Sequence, residues 1–362
     1  MKVLIFPCNT FEAITKAREL KIAGHQVIGA TSVASEYRLD DAKYEQVFEL
    51  PYITNPEFES DLQTLIATHS VDYIWSSIVS VNSKLPEYLA SSSTQILSAD
   101  PVALYNAPTK LIREQVGLRK EYQKRLLTGL NLHSEMPDHI LVNILTAVHK
   151  VSGESHFDKL FTIANIFSTI ADDTDIVEIG SLWGRTAKAF CCLSLFYGKG
   201  NMLCIDPWSH GEAVTQNSHK ILDDLSLNGD GDAHFDIFVS NLLAEHYGKI
   251  NYLRGFSADV SPQYSSGNGI IESPEFGQTQ YRKKIGLLHI DGNHKYENVV
   301  EDIDNYVSSV VPGGWIIFDD YNWAYGDGVT KAADEYVEQN LDTVEVAFFS
   351  GGALFVKLKA GS

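Results

Sequence analysis

The chain has 362 residues, long for one domain and suited to two. Its hydrophobic fraction of 44% and charged fraction of 21% are those of a globular protein. With 47 acidic against 28 basic residues the formal net charge is −19, a surface that repels a phosphate backbone and argues against nucleic acid as a partner. The opening residues, MKVLIFPCNTFEAITKA, hold too short an apolar run for a signal peptide, and no stretch approaches the roughly 20 apolar residues of a membrane span. Cys8, Cys191, Cys192 and Cys204 lack CxxC spacing and read as reduced core thiols, which predicts a cytoplasmic protein with no membrane partner.

The first third alternates strand and helix. KVLIF and QVIGAT are strand-like, and FEAITKARELKIAG between them has helical spacing with a glycine stop. QVFELP, the helical PEFESDLQTLIATHS, VDYIWSSI, the helical NSKLPEYLA and TQILSA complete a small βαβ domain with a parallel sheet over residues 1–108. This order resembles the domain that precedes the nucleotide-binding part of ATP-grasp ligases. No glycine-rich phosphate loop follows, so a structural or substrate-gripping role is expected. Residues 109–137 read as a helical linker, because KLIREQVGLRKEYQKRLL (110–127) gathers six basic residues on one amphipathic helix with a solvated face. Helical patterns resume in DHILVNILTAVHKVSG and HFDKLFTIANIFSTIA, opening a second domain over residues 138–362.

From residue 175 the alternation restarts. DIVEIG, GNMLCIDP, INYLRG, KIGLLHID and GWIIFDD are five successive strands, with TAKAFCCLSLFYG the helix after the first. TVEVAFFSGGALFVKLK gives two β-rich runs around SGG, a hairpin signal that makes the last two strands antiparallel. A mostly parallel sheet ending in a hairpin departs from the all-parallel sheet of nucleotide-dependent dehydrogenases.

VEIGSLWGRTAKAF sets Glu178 at a strand end, Gly180, Ser181 and Gly184 in the turn, and a helix behind it, where the backbone can approach a ligand and offer N–H groups. The glycine spacing lacks one glycine of the dinucleotide fingerprint, and Trp183 would crowd a pyrophosphate; S-adenosylmethionine fits better. Asp206 ends the next strand, placed to accept both ribose hydroxyls, with Trp208 beside it as a stacking wall. Ser257 and Asp259 in GFSADV follow the third strand, where an adenine edge belongs. One acid at a strand end reads as a helix cap; acids after three consecutive strands do not.

Residues 175–358 resemble class I S-adenosylmethionine-dependent methyltransferases. HIDGNHKYENVVEDIDNYVSSVVPGGWIIFDDYNW is similar to the macrocin O-methyltransferase and cephalosporin-hydroxylase-type branch, which acts on small molecules of natural-product and sugar pathways. The fold class implied is α/β: a Rossmann-like methyltransferase domain with a C-terminal antiparallel hairpin, preceded by a smaller α/β domain.

Asp291 and the pair Asp319–Asp320 end neighbouring strands about 4.8 Å apart, so their carboxylates converge and repel unless a cation neutralises them; oxygen ligands suit Mg²⁺. The resemblance places a divalent metal on these three positions. Branch members carry an acid two residues after the first metal aspartate. Here that residue is Asn293, which cannot take a proton, so the adjacent His294 is the expected base. Tyr296 and Glu297 brace the next helix, while Tyr321, Asn322 and Trp323 wall the acceptor pocket. The expected activity is metal-assisted O-methylation of a small hydroxylated acceptor, by a chain compatible with a homo-oligomer. A hydroxylase-like accessory and a non-catalytic binding module of a biosynthetic complex are the competing readings.

Overall fold

In the computed structural model, which describes residues 1–33, 44–98, 101–130, 136–153, 155–209, 230–246 and 248–361, the chain divides into two units, Met1–Leu111 and Ile112–Ser362. In the first unit β1 (Lys2–Ile5), α1 (Phe11–Ile22), β2 (Gln26–Thr31), β3 (Val47–Glu49), α2 (Phe58–His69), β4 (Tyr73–Trp75), α3 (Val79–Tyr88) and β5 (Gln95–Ile96) alternate. The strands lie parallel in the order β3-β2-β1-β4-β5. The two-residue period of β1 sends Leu4 into the apolar layer under α2 and α3, and Val3 and Ile5 into the layer under α1. Thr10 starts α1 by accepting the Ala13 N–H at 3.1 Å.

The single basic helix expected over 110–127 is two helices, α4 (Pro101–Leu118) and α5 (Lys120–Gly129). Arg119 leaves helical geometry between them, at φ −96° and ψ 5°. Its guanidinium pairs with Asp158, lies 4.7 Å from the Phe157 ring centroid, and donates to Gln115 at 2.6 Å. These contacts, with the weak helix former Gly117 just before, outweigh the propensity that would continue one helix. Residues 131–135 of the expected linker lie outside the described residues.

The second unit continues with α6 (Asp138–His149), α7 (Phe157–Ile166), β6 (Asp175–Ile179), α8 (Arg185–Tyr197), β7 (Met202–Asp206), α9 (Gly231–His246), β8 (Ile250–Arg254) and α10 (Ser257–Ser265). A separate antiparallel pair, β9 (Ile270–Ser273) and β10 (Gly277–Gln280), precedes β11 (Ile285–Ile290), α11 (Tyr296–Tyr306), β12 (Val310–Phe318), α12 (Gly328–Gln339), β13 (Val344–Ser350) and β14 (Ala353–Leu358). The large sheet runs β13-β14-β12-β11-β6-β7-β8; its first five strands in the chain are parallel, and β14 is antiparallel to both β12 and β13. The hairpin turn holds Gly351 and Gly352 at φ +57° and +91°, a region that favours glycine.

Strand alternation builds two apolar layers. Ile176, Cys204, Leu287 and Ile317 face α6, α7, α8 and α9, while Val177, Leu203, Leu288 and Ile316 face α10, α11 and α12. From β6 the chain moves outward through β7 and β8, then restarts on the other side of β6 with β11. The strand order therefore reverses between β6 and β11, and the carboxyl ends of the parallel strands share one edge there. The four cysteines are free thiols. Among the described residues no helix is long and apolar enough to cross a membrane.

Candidate active site

Backbone hydrogen bonds carry the strand ladder past the strand ends and bring the acids side by side. The Gly180 N–H donates to Ile205 O at 2.8 Å, the Asp291 N–H to Ile179 O at 2.8 Å and the Asp319 N–H to Ile290 O at 2.9 Å. Gly180 stands at φ +85°, and a Cβ there would lie 1.9 Å from the Asp291 carbonyl oxygen, so only glycine lets the two strand ends meet. Of the five described non-glycine residues at positive φ, Leu182, Trp208 and Asp320 belong to this edge. Such conformations persist only where the surroundings impose them, and they gather at working sites.

On the β6–β7 side, Asp206 organises the glycine-containing turn. Its carboxylate accepts the Leu182 N–H at 2.9 Å and the Trp208 N–H at 2.7 Å. Glu178 accepts from Ser181 Oγ at 2.7 Å, and its other oxygen lies 3.1 Å from His289 Nδ1. On the β11–β12 side, Lys159 from the first turn of α7 is paired with Asp319, and its Nζ stands 3.7 Å from Asp291 Oδ2. His289 Nε2 is 3.6 Å from Asp319, and His294 Nε2 is 3.3 Å from Asp320.

Residues 177–321, which span this edge, match the family described as a methyltransferase domain. A stretch of 191 residues is 49% identical to an uncharacterized protein of Acanthamoeba polyphaga mimivirus, covering 50% of this chain and 66% of that one, just under two thirds of its length. Among solved structures, the O-methyltransferase NovP is 18% identical with a TM-score of 0.41, over 56% of this chain and 79% of that one. The calicheamicin methyltransferase CalS11 is 16% identical with a TM-score of 0.41, over 66% and 91%.

In the matched segment the expected cofactor residues Glu178, Gly180, Ser181, Gly184 and Asp206 come together around one turn. Trp208 does not offer the stacking face expected of it. It is 3% exposed, its ring packs on Phe235 and Phe238, and its indole N–H donates to Leu182 O at 2.7 Å. The indole braces the turn from below because an apolar layer lies within reach. Ser257 donates to Asp302 instead of facing an empty edge, and Asp259 is exposed in the first turn of α10. Burial pushes Asp206 up from the usual carboxylate range, against the pull of the Trp208 and Leu182 amides.

The expected trio of metal aspartates is divided. The ligand atoms of His289, Asp291 and Asp319 lie within 4.8 Å of one another, as do those of Asp291, His294 and Asp320. Asp319 belongs to the inner group, where Lys159 already supplies a positive charge. Burial raises Asp319, but Lys159 and His289 outweigh it and hold the carboxyl well below its usual range. Burial, then the charge of Asp319, raises Asp291 well above that range. Burial also opposes the ammonium of Lys159, yet Asp319 and Asp291 raise it. A divalent cation fits the outer group better: the Lys159 ammonium pairs directly with Asp319 and stands farther off, at 3.7 Å, from Asp291, and hydrated Mg²⁺ needs only one or two carboxylates.

His294 lies against Trp323, with ring centroids 4.4 Å apart at 75°. Burial pushes its imidazole down to about 4, and the charge of Asp319, which raises it, does not reverse this. The ring is therefore neutral at physiological pH. Tyr296 donates to Glu335 at 2.6 Å and so ties α11 to α12, while Glu297 is exposed in the first turn of α11. Tyr321 donates to Asp334 at 2.7 Å, and Asn322 is exposed. Sequence reasoning missed Lys159, His289 and Asp302. A signal was present in each: one charged or titratable residue at a core-facing position of an otherwise apolar strand or amphipathic helix.

Proposed function

We propose that this protein is an S-adenosylmethionine-dependent O-methyltransferase acting on a hydroxyl of a small polyhydroxylated molecule, a sugar or secondary metabolite, with a divalent cation assisting. One observation carries the reading. Asp206, Glu178, Asp291 and Asp320 lie at or just beyond the carboxyl ends of four adjoining strands, β7, β6, β11 and β12, at the reversal of strand order, in a segment that matches a methyltransferase domain.

Asp206 and the Gly180–Gly184 turn bind the cofactor: each Asp206 oxygen keeps a lone pair for a ribose hydroxyl beyond the backbone N–H it accepts. When bound, S-adenosylmethionine supplies an electrophilic methyl group. Asp291 and Asp320 would hold the cation, which would orient the acceptor and lower the pKa of its hydroxyl. His294, neutral and next to Asp320, takes the proton from that hydroxyl. Trp323 packs edge-to-face with the imidazole and helps fix its position.

Calorimetry of the full-length protein with S-adenosylmethionine, NAD and ATP tests the reading. S-adenosylmethionine should bind, and Asp206→Ala should weaken it by roughly 1.5–3 kcal/mol, the worth of hydrogen bonds to a charged group. Binding of NAD or ATP in its place, or unchanged affinity in the variant, would reject it.

A further inference from the structure

Lys159 is 1% exposed, and the partner of its ammonium, Asp319, is 160 residues away in sequence. Its position is set by the C-terminal hairpin. A Cβ on Gly351 would stand 2.1 Å from Lys159 N, so the bare turn presses against the backbone of α7 there. One turn further on, Thr162 Oγ1 lies 2.8 Å from Ser350 Oγ, which also accepts from the Tyr122 hydroxyl at 2.9 Å. The side chain thus enters the catalytic edge from a fixed point and ends between Asp319 and Asp291.

That end point coincides with the inner acid group. By spacing alone His289, Asp291 and Asp319 could hold a cation. The ammonium already contacts Asp319 and stands 3.7 Å from Asp291. A divalent ion on the same oxygens would lie in contact with a like charge in a buried place with little water to screen it. The outer group is more open, since the Asp320 side chain is 44% exposed against 9% for Asp319.

We propose that Lys159 is the resident cation of the inner acid group and confines a divalent metal to the outer carboxylates, Asp291 and Asp320. Lys159 is then a positioning residue: it holds Asp319 away from the metal and leaves Asp291 to face it. The assignment rests on the metal-assisted reading above for its consequence, and its test separates the two.

Mn²⁺ binding to the full-length protein is measured by calorimetry and electron paramagnetic resonance, with circular dichroism as the folding control. In the parent, Asp320→Asn should weaken Mn²⁺ by about tenfold or more, and Asp319→Asn by less than about threefold. Lys159→Met should release the inner carboxylates, so that Mn²⁺ binds at least about tenfold tighter or in a second equivalent. Lys159→Gln, which keeps a polar group in the site, should show the same gain if the Met variant does not fold. Adding Asp319→Asn to either variant should abolish the gain. If Lys159→Met binds Mn²⁺ and the parent does not, the Lys159 assignment stands and the metal-assisted reading falls. If the parent binds Mn²⁺ and neither Lys159 variant gains, the assignment is overturned and the functional reading stands. Equal losses for Asp319→Asn and Asp320→Asn in the parent would overturn it as well.

Discussion

Asp302 offers a direct test of how burial sets a charge in this fold. The residue lies on α11, 3% exposed, with Ser257 Oγ donating to its Oδ1. Burial raises its carboxyl from the ordinary 3.8 to about 7, the Ser257 hydrogen bond opposes the rise, and the charge of Glu301 adds to it. In the unfolded chain the same group ionises near 3.8. Between about pH 4 and pH 7 the folded protein therefore holds one more proton than the unfolded one, and stability falls as pH rises through that window. At about 1.4 kcal/mol per pKa unit, the whole interval is worth about 4 kcal/mol, lost by pH 7 and not recovered above it. Asp302→Asn keeps an oxygen to accept from Ser257 and has no proton to lose, so its profile should lack this term. Relative to the parent, the variant should gain up to about 4 kcal/mol from pH 4 to pH 8. Urea unfolding at half-unit pH steps, followed by tryptophan fluorescence, reads the difference; four of the five tryptophans, Trp183, Trp208, Trp315 and Trp323, lie in the second unit. Parallel profiles for parent and variant would refute the reasoning.

Gly180→Ala should destabilise the second unit by several kcal/mol and abolish cofactor binding, because its Cβ would overlap the Asp291 carbonyl at 1.9 Å in a backbone conformation at φ +85°; thermal unfolding and calorimetry check both. His294→Ala should keep S-adenosylmethionine and metal binding and lose about 10²–10⁴ in turnover, the worth of a positioned base. In the parent, only the neutral imidazole accepts a proton, so turnover should rise with pH through about 4 and be flat across the neutral range. A rate that still rises near pH 6.5, or an identical profile in the variant, would move the base elsewhere.

Much of the fold was legible because it depends on local pattern. Strand runs such as DIVEIG and KIGLLHID carry their own hydrophobic signature, and the SGG turn announces the terminal hairpin. Since parallel strands share one carboxyl edge, Glu178, Asp206, Asp291 and Asp320 could be placed together from sequence. The α4–α5 break was not legible, because a contact between Arg119 and Asp158 decides it rather than the propensity of residues 110–127. The pair β9–β10 and helices α9 and α12 also escaped the sequence reading, and α9 has little amphipathic contrast to reveal it.

Charge is where sequence and tertiary structure part. The acids at the strand ends follow from strand direction and a two-residue period, which are properties of the chain itself. Which of them is neutralised, and by what, depends on groups brought in from elsewhere: Lys159 reaches Asp319 across 160 residues, and the hairpin turn presses its backbone into place. Trp208 likewise stands beside Asp206 in any reading of the sequence, but only the packing of Phe235 and Phe238 turns its ring inward. The physical reason is common to both. Hydrophobic period and turn chemistry act over a few residues, whereas burial and Coulomb interactions depend on distances in space that only the folded chain sets.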